Sequence, residues 1–122
     1  MKFILFLSFL FISTSGVACV DPDGGVITVI GNVDKETFPG RPNYESIENG
    51  DTPETYWVLT LDDGICVNGL SERQTAFQLF WSLDKKRLYE SGKYRISGKT
   101  MAAVTGHHHT PILIEVDRVA SH

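Results

Sequence analysis

Lys93-Tyr94-Arg95-Ile96-Ser97-Gly98-Lys99 alternates without a break. Lys93, Arg95, Ser97 and Lys99 fall on one side of an extended chain, and Tyr94, Ile96 and Gly98 on the other. Successive side chains of a strand point to opposite faces, so this stretch reads as a strand with one wet and one packed face. The same signal recurs on both sides of it. Residues 26–33 alternate around β-branched positions, and 55–61 set Trp57, Leu59 and Leu61 against Tyr56, Val58 and Thr60. Asp62-Asp63-Gly64 reads as a turn, after which Ile65-Cys66-Val67 resumes an extended pattern. Phe77, Leu79 and Trp81 then alternate with Gln78, Phe80 and Ser82, and 112–119 supply a last strand.

One short helix is expected between the third and fourth strands. Asp84 can cap it, 85–90 can form it, and Gly92 can end it. The expected fold class is therefore all-β with one short helix, arranged as a five-stranded OB-like barrel. A generic small β-sandwich or open barrel is the alternative. No internal repeat or low-complexity segment is visible.

The first residues carry a different message. Met1 and Lys2 precede an apolar run over 3–12, broken by Ser8, and then Ser13-Thr14-Ser15-Gly16-Val17-Ala18. A basic start, an apolar run and small residues at a cleavage point make a secretory signal peptide. The run is shorter than the roughly 20 residues that a spanning helix needs. Cleavage after Ala18 leaves 19–122 as a single domain, exported and expected in the periplasm. The chain carries a net charge of -4, and loss of Lys2 makes the remainder more acidic still. Such a balance does not favour nucleic acid or anionic lipid.

Export places Cys19 and Cys66, the two cysteines of the chain, in an oxidising space where a disulfide persists. The competing reading makes Cys19 a lipid-modified first residue. Lipoprotein signals usually place a branched aliphatic residue where Gly16 stands.

Two connections stand out. Residues 37–54 are far longer than the roughly two to five residues of an ordinary hairpin loop. Pro39, Pro42, Pro53, Gly40 and Gly50 shape this loop, and Phe38, Tyr44 and Ile47 give it apolar anchors. The second is Gly106-His107-His108-His109-Thr110-Pro111. In an extended chain His107 and His109 point the same way, so the pair is a candidate zinc or copper site. Glu45, Glu48, Asp51 or Glu54 would complete it. Hydrogen bonding to the long loop is the plainer role. Catalysis has less to rest on, because no nucleophile elbow and no paired catalytic motif is present. His108 as a base near Tyr44 or Ser46 is the one arrangement to consider. Lys93, Arg95 and Lys99 form a basic stripe, read as solvated surface or a seat for an anion.

The stretch Phe38-Pro39-Gly40-Arg41-Pro42-Asn43-Tyr44-Glu45-Ser46-Ile47, then Gly50-Asp51 and Tyr56-Trp57-Val58-Leu59-Thr60-Leu61, resembles an uncharacterised family of small secreted bacterial domains. Thr105-Gly106-His107-His108-His109-Thr110-Pro111-Ile112-Leu113-Ile114 does so as well. That family is a domain of unknown function. Its members often carry a cysteine near the mature N-terminus and another after the second strand, which Cys19 and Cys66 match. Asp63-Gly64-Ile65 departs from it where a proline is commoner. The resemblance implies an envelope protein and a single composite site shared by both loops, and it implies no reaction.

The expectation is thus a non-enzymatic periplasmic binding or interaction module whose partner is a protein or small molecule of the cell envelope. Its ligand-binding residues would be Phe38, Asn43, Tyr44, Glu45, Asp51, His107, His108 and His109. The alternatives are a divalent-metal protein using His107 and His109, a hydrolase with a histidine base, and a purely structural domain.

Overall fold

The structure, a computed structural model, describes residues 18–82 and 88–122. Five strands follow in order: β1 (Val26–Pro39), β2 (Pro53–Ile65), β3 (Gln74–Phe80), β4 (Gly92–Ala102) and β5 (Ile112–Ser121). They hydrogen-bond in the order β1-β2-β3-β5-β4, and β4 pairs back onto β1, so the sheet is ring-shaped. The length of β1 lets it serve two neighbours. Residues 26–33 pair with β4, whereas 32–39 pair with β2. Every pairing is antiparallel except β3 with β5.

The ring encloses the apolar face that the alternation foretold. Val33 pairs with Leu59 and Leu59 with Phe77, and all three are buried. Tyr94, Ile96, Ile112, Ile114 and Val116 meet them from β4 and β5. Burial of each such aliphatic side chain contributes roughly 1.5–3 kcal/mol. Gly98 shows how tightly β4 lies on β5. A Cβ at that position would run into the carbonyl oxygen of Glu115, beside the register shift between Ser97 and Gly98.

Several expectations are corrected here. The described residues hold five strands and no helix. Of the expected helix at 85–90, Leu88, Tyr89 and Glu90 are not helical and Gly92 opens β4, while 83–87 lie outside the described residues. The OB-like barrel with its short helix gives way to an all-β, five-stranded, ring-shaped sheet. Asp62-Asp63-Gly64 is not a turn either. It continues β2 to Ile65 through a register shift against β3, where Arg73 Nε donates to the Gly64 carbonyl at 2.8 Å. A bulge absorbs the turn-prone residues without ending the strand. The long loop is 40–52, since strands claim both of its ends.

The N-terminal segment is tied to the sheet. Cys19 and Cys66 form a disulfide, and Val20 bridges to Val67. Val20 N donates to the Cys66 carbonyl and Asn68 N to the Val20 carbonyl, both at 2.9 Å. Residues 1–17, where the signal peptide is expected, lie outside the described residues. Among the described residues no helix is long and apolar enough to cross a membrane.

Candidate functional site

Val58 and Leu113 are almost fully buried, yet neither belongs to the core cluster. The register explains them. Val58 pairs with Gln78, and Gln78 with Leu113, so the three form a row across β2, β3 and β5 on the face turned away from the core. That face carries a second buried layer, and loop 103–111 lies over it.

Gln78 is the fastener. Its backbone N–H donates to Thr110 Oγ1 at 2.9 Å, and its Nε2 donates to the His107 carbonyl at 3.0 Å. Its Oε1 accepts from the His109 N–H at 2.7 Å. Thr110 Oγ1 passes its own proton to the Ile112 carbonyl at 2.7 Å. A buried primary amide with a backbone partner at each end leaves neither end orphaned, and it fixes the loop as a strand neighbour would.

Loop 40–52 is organised around Asp51, which is buried. Asp51 Oδ2 accepts the amides of Glu45 and Ser46 at 2.8 and 2.9 Å, and Oδ1 that of Asn43 at 2.9 Å. The Ser46 and Glu45 amides hold its carboxyl below the usual range against the opposing effect of burial, with Asn43 adding to them. Tyr44 sits at φ 54°, a left-handed conformation uncommon for a bulky residue, with its N–H on the Gly40 carbonyl at 2.8 Å. The ring lies against Gly106, where any Cβ would meet it at 2.8 Å, and edge-on to His107 at 5.5 Å between centroids. One strained residue thereby joins the two loops.

Glu54, near the start of β2, completes the junction. His107 Nδ1 donates to its Oε2 at 2.6 Å, and His109 Nε2 to its Oε1 at 3.0 Å. Tyr56 Oη donates to Oε1 at 3.2 Å. Burial raises the Glu54 pKa, but the hydrogen bonds from His109, His107 and Tyr56, with the charge of His107, outweigh it and hold the carboxyl below its ordinary value. Burial and then Glu54 raise the Tyr56 phenol. Phe38, opposite Glu54 in the register, stacks flat on His109 with ring centroids 4.4 Å apart.

These bonds also set the tautomers. A carboxylate only accepts, so His107 carries its proton on Nδ1 and His109 on Nε2. The other ring nitrogen of each imidazole then lies on the side away from Glu54. His108 turns back on its own loop, where its Nδ1 accepts the amides of Val104 at 2.9 Å and Thr105 at 3.3 Å. Burial first, then the neighbouring His107 and His109, lower its pKa.

The expected site residues therefore divide. Phe38, Tyr44, His107 and His109 come together around Glu54. Asn43, Glu45 and Asp51 build the loop through backbone amides and a buried carboxylate. His108 faces neither Tyr44 nor Ser46 by any hydrogen bond, so its use as a base there is not supported. The metal reading is corrected: among the described residues no group of three or more histidine, cysteine, aspartate or glutamate side chains is arranged to hold an ion. The two imidazoles use their facing nitrogens as donors to Glu54. Gln78, Tyr56 and Thr110 were not foreseen. The signal for Gln78 was one amide inside the otherwise apolar run Ala76-Phe77-Gln78-Leu79-Phe80-Trp81.

No curated protein and no solved structure matches the chain. From the middle of β3 to the end of β5, residues 77–120, the chain matches the family model described as Domain of unknown function (DUF4431), a span that holds Gln78 and the histidine loop.

Proposed function

We propose that this chain is a small all-β interaction domain, and that its contact surface is the layer formed by loops 40–52 and 103–111. The observation that carries the reading is the combination of a cross-linked layer with exposed apolar side chains. Asp51, Glu54 and Gln78 tie both loops down, while Ile47 and Val104 on the same loops remain 41% and 76% exposed. Ordered loops that hold large apolar residues out to water are suited to binding, because little entropy is lost when a partner covers them. The His107 side chain, 42% exposed, adds a polar group between them. The partner in this reading is a protein of the cell envelope. The basic-then-apolar N-terminus supports export, and so does the Cys19–Cys66 disulfide.

Photo-crosslinking in cells that make the protein at its natural level tests this. A photoreactive residue in place of Ile47 or Val104 should give one discrete adduct, lost when Glu54→Ala loosens the layer. The same residue in place of Lys93, exposed on β4, should give none. Adducts from Lys93 alone, or none from either loop position, would refute it.

A further inference from the structure

The interior of the ring does not end at its core. Two residues along from the Val33–Leu59 pair, Lys35 pairs with Trp57 on the same inward side. Next to it is a groove of about 420 Å³ whose lining includes Lys35, Thr55, Tyr56, Trp57, Trp81 and Leu88. That volume falls within the roughly 300–1,000 Å³ of small-molecule sites. Lys35, Thr55 and Trp57 are on the opposite face of β1 and β2 from Glu54, and Tyr56, a hydrogen-bond donor to Glu54, is the lining residue shared with that junction.

Its chemistry is one-sided. Trp57, Trp81 and Leu88 pack on the core and give the groove apolar walls. Lys35 Nζ lies 5.2 Å from the centre of the Trp57 ring, in cation–π range. Trp81 Nε1 is buried and has no hydrogen-bond partner among the described residues. Buried indole N–H groups ordinarily find an acceptor. Thr55 adds a hydroxyl, shared with Thr37 at 2.9 Å. Among the described residues no carboxylate lines the groove, although acidic residues outnumber basic ones in the chain, 15 to 11. Flat apolar walls, one cation and an unused donor are complementary to an anionic head on an apolar body.

We propose that this groove binds a small monocarboxylate with a planar apolar body. The body lies between the indoles, and the carboxylate accepts from Lys35 and from the Trp81 N–H. A ligand oxygen thus supplies the acceptor that the described residues leave out.

The two indoles are the only ones in the chain, so the ¹H–¹⁵N spectrum has two indole signals, and Trp81→Phe assigns them. The probe is 2-naphthoate, with 2-naphthylmethanol as its neutral match in shape. Saturable binding of naphthoate at or below about 1 mM is expected. The Trp81 indole proton should move downfield as it gains an acceptor. The alcohol should bind at least about tenfold more weakly, and Lys35→Met should weaken naphthoate by a similar factor. Lys35 is exposed, so folding of that variant is checked by an otherwise unchanged spectrum. Absence of saturation in that range, equal affinity for acid and alcohol, or an unmoved Trp81 signal with the probe bound would each overturn the proposal.

Discussion

Replacing Gln78 by methionine tests whether one buried amide holds the histidine loop. Methionine keeps the length and flexibility of the side chain and removes its hydrogen bonds. The backbone bond from Gln78 N to Thr110 Oγ1 survives. The His107 carbonyl and the His109 amide lose their partners at 3.0 and 2.7 Å. Orphaning a buried polar group costs roughly 1–3 kcal/mol. The loop is only part-buried on its His107 side, so the lower half of that range applies to each group, about 2–4 kcal/mol together. For a domain near 100 residues that lowers Tm by about 10–20 °C. Urea unfolding should show a lower midpoint with an unchanged slope, because the surface exposed on unfolding is the same. Amide exchange localises the effect: the His109 N–H should lose protection beyond the global loss that Ile96, in the core, reports. A loss below about 0.5 kcal/mol with His109 still protected would refute the assignment of Gln78 as the fastener.

Glu54→Gln should cost stability in a pH-dependent way. The folded carboxyl ionises below its ordinary 4.5, so its contribution is complete above that value and is lost as pH falls through the folded pKa. The gap between wild type and variant, read from urea midpoints, should be constant above about 4.5 and close below it; a gap that widens on acidification would contradict the argument. His108 should titrate below 6.5 when its ring protons are followed by NMR. Because its neutral form is the folded one, stability falls as pH drops through 6.5 towards the folded value, and a midpoint above 6.5 would be inconsistent with the two amides on its Nδ1. Removing the disulfide as the Cys19→Ser, Cys66→Ser pair should cost about 4 kcal/mol, from the entropy of a loop spanning 47 residues. Unfolding free energies with a difference under about 1 kcal/mol would mean that the bridged segment remains constrained after the bond is gone.

Alternation made the all-β class and much of the core legible before any coordinates. Leu59, Leu61, Phe77, Leu79, Tyr94 and Ile96 all face inward as the period of two requires. Strand ends were less legible, for reasons specific to each. Residues 34–39 of β1 and 53–54 of β2 look like loop because they are polar or proline-bearing, yet 34–39 pair with 53–58, from Asp34↔Val58 to Pro39↔Pro53. Backbone hydrogen bonds to a neighbour, invisible in one strand's own pattern, extend them. Asp62-Asp63-Gly64 carries turn chemistry and is used as a bulge, a distinction that depends on the partner strand. The helix expected at 85–90 rested on capping residues alone; Leu88, Tyr89 and Glu90 are not helical, and 83–87 lie outside the described residues.

The site was half legible for a reason of the same kind. The unusual residues of the two loops announced themselves by composition, but their mutual contacts run through residues that alternation assigns to water. Val58, Gln78 and Leu113 sit on the outward face, and Glu54 is one carboxylate among many in an acidic chain. A single period of two cannot say that both faces of β2 and β3 are buried, one against the core and one beneath the loops. What distinguishes the faces is chemistry. The inner face is apolar and packs without direction, so it tolerates any well-shaped neighbour. The outer layer is built from Gln78, Glu54 and Asp51, whose hydrogen bonds have fixed partners and angles. A layer of that second kind specifies where His107, Tyr44, Ile47 and Val104 stand, and a dissolved or repacked apolar patch would not. The polar layer is therefore better explained by the need to present a defined loop surface than by stability, which an apolar packing of the same volume would serve as well.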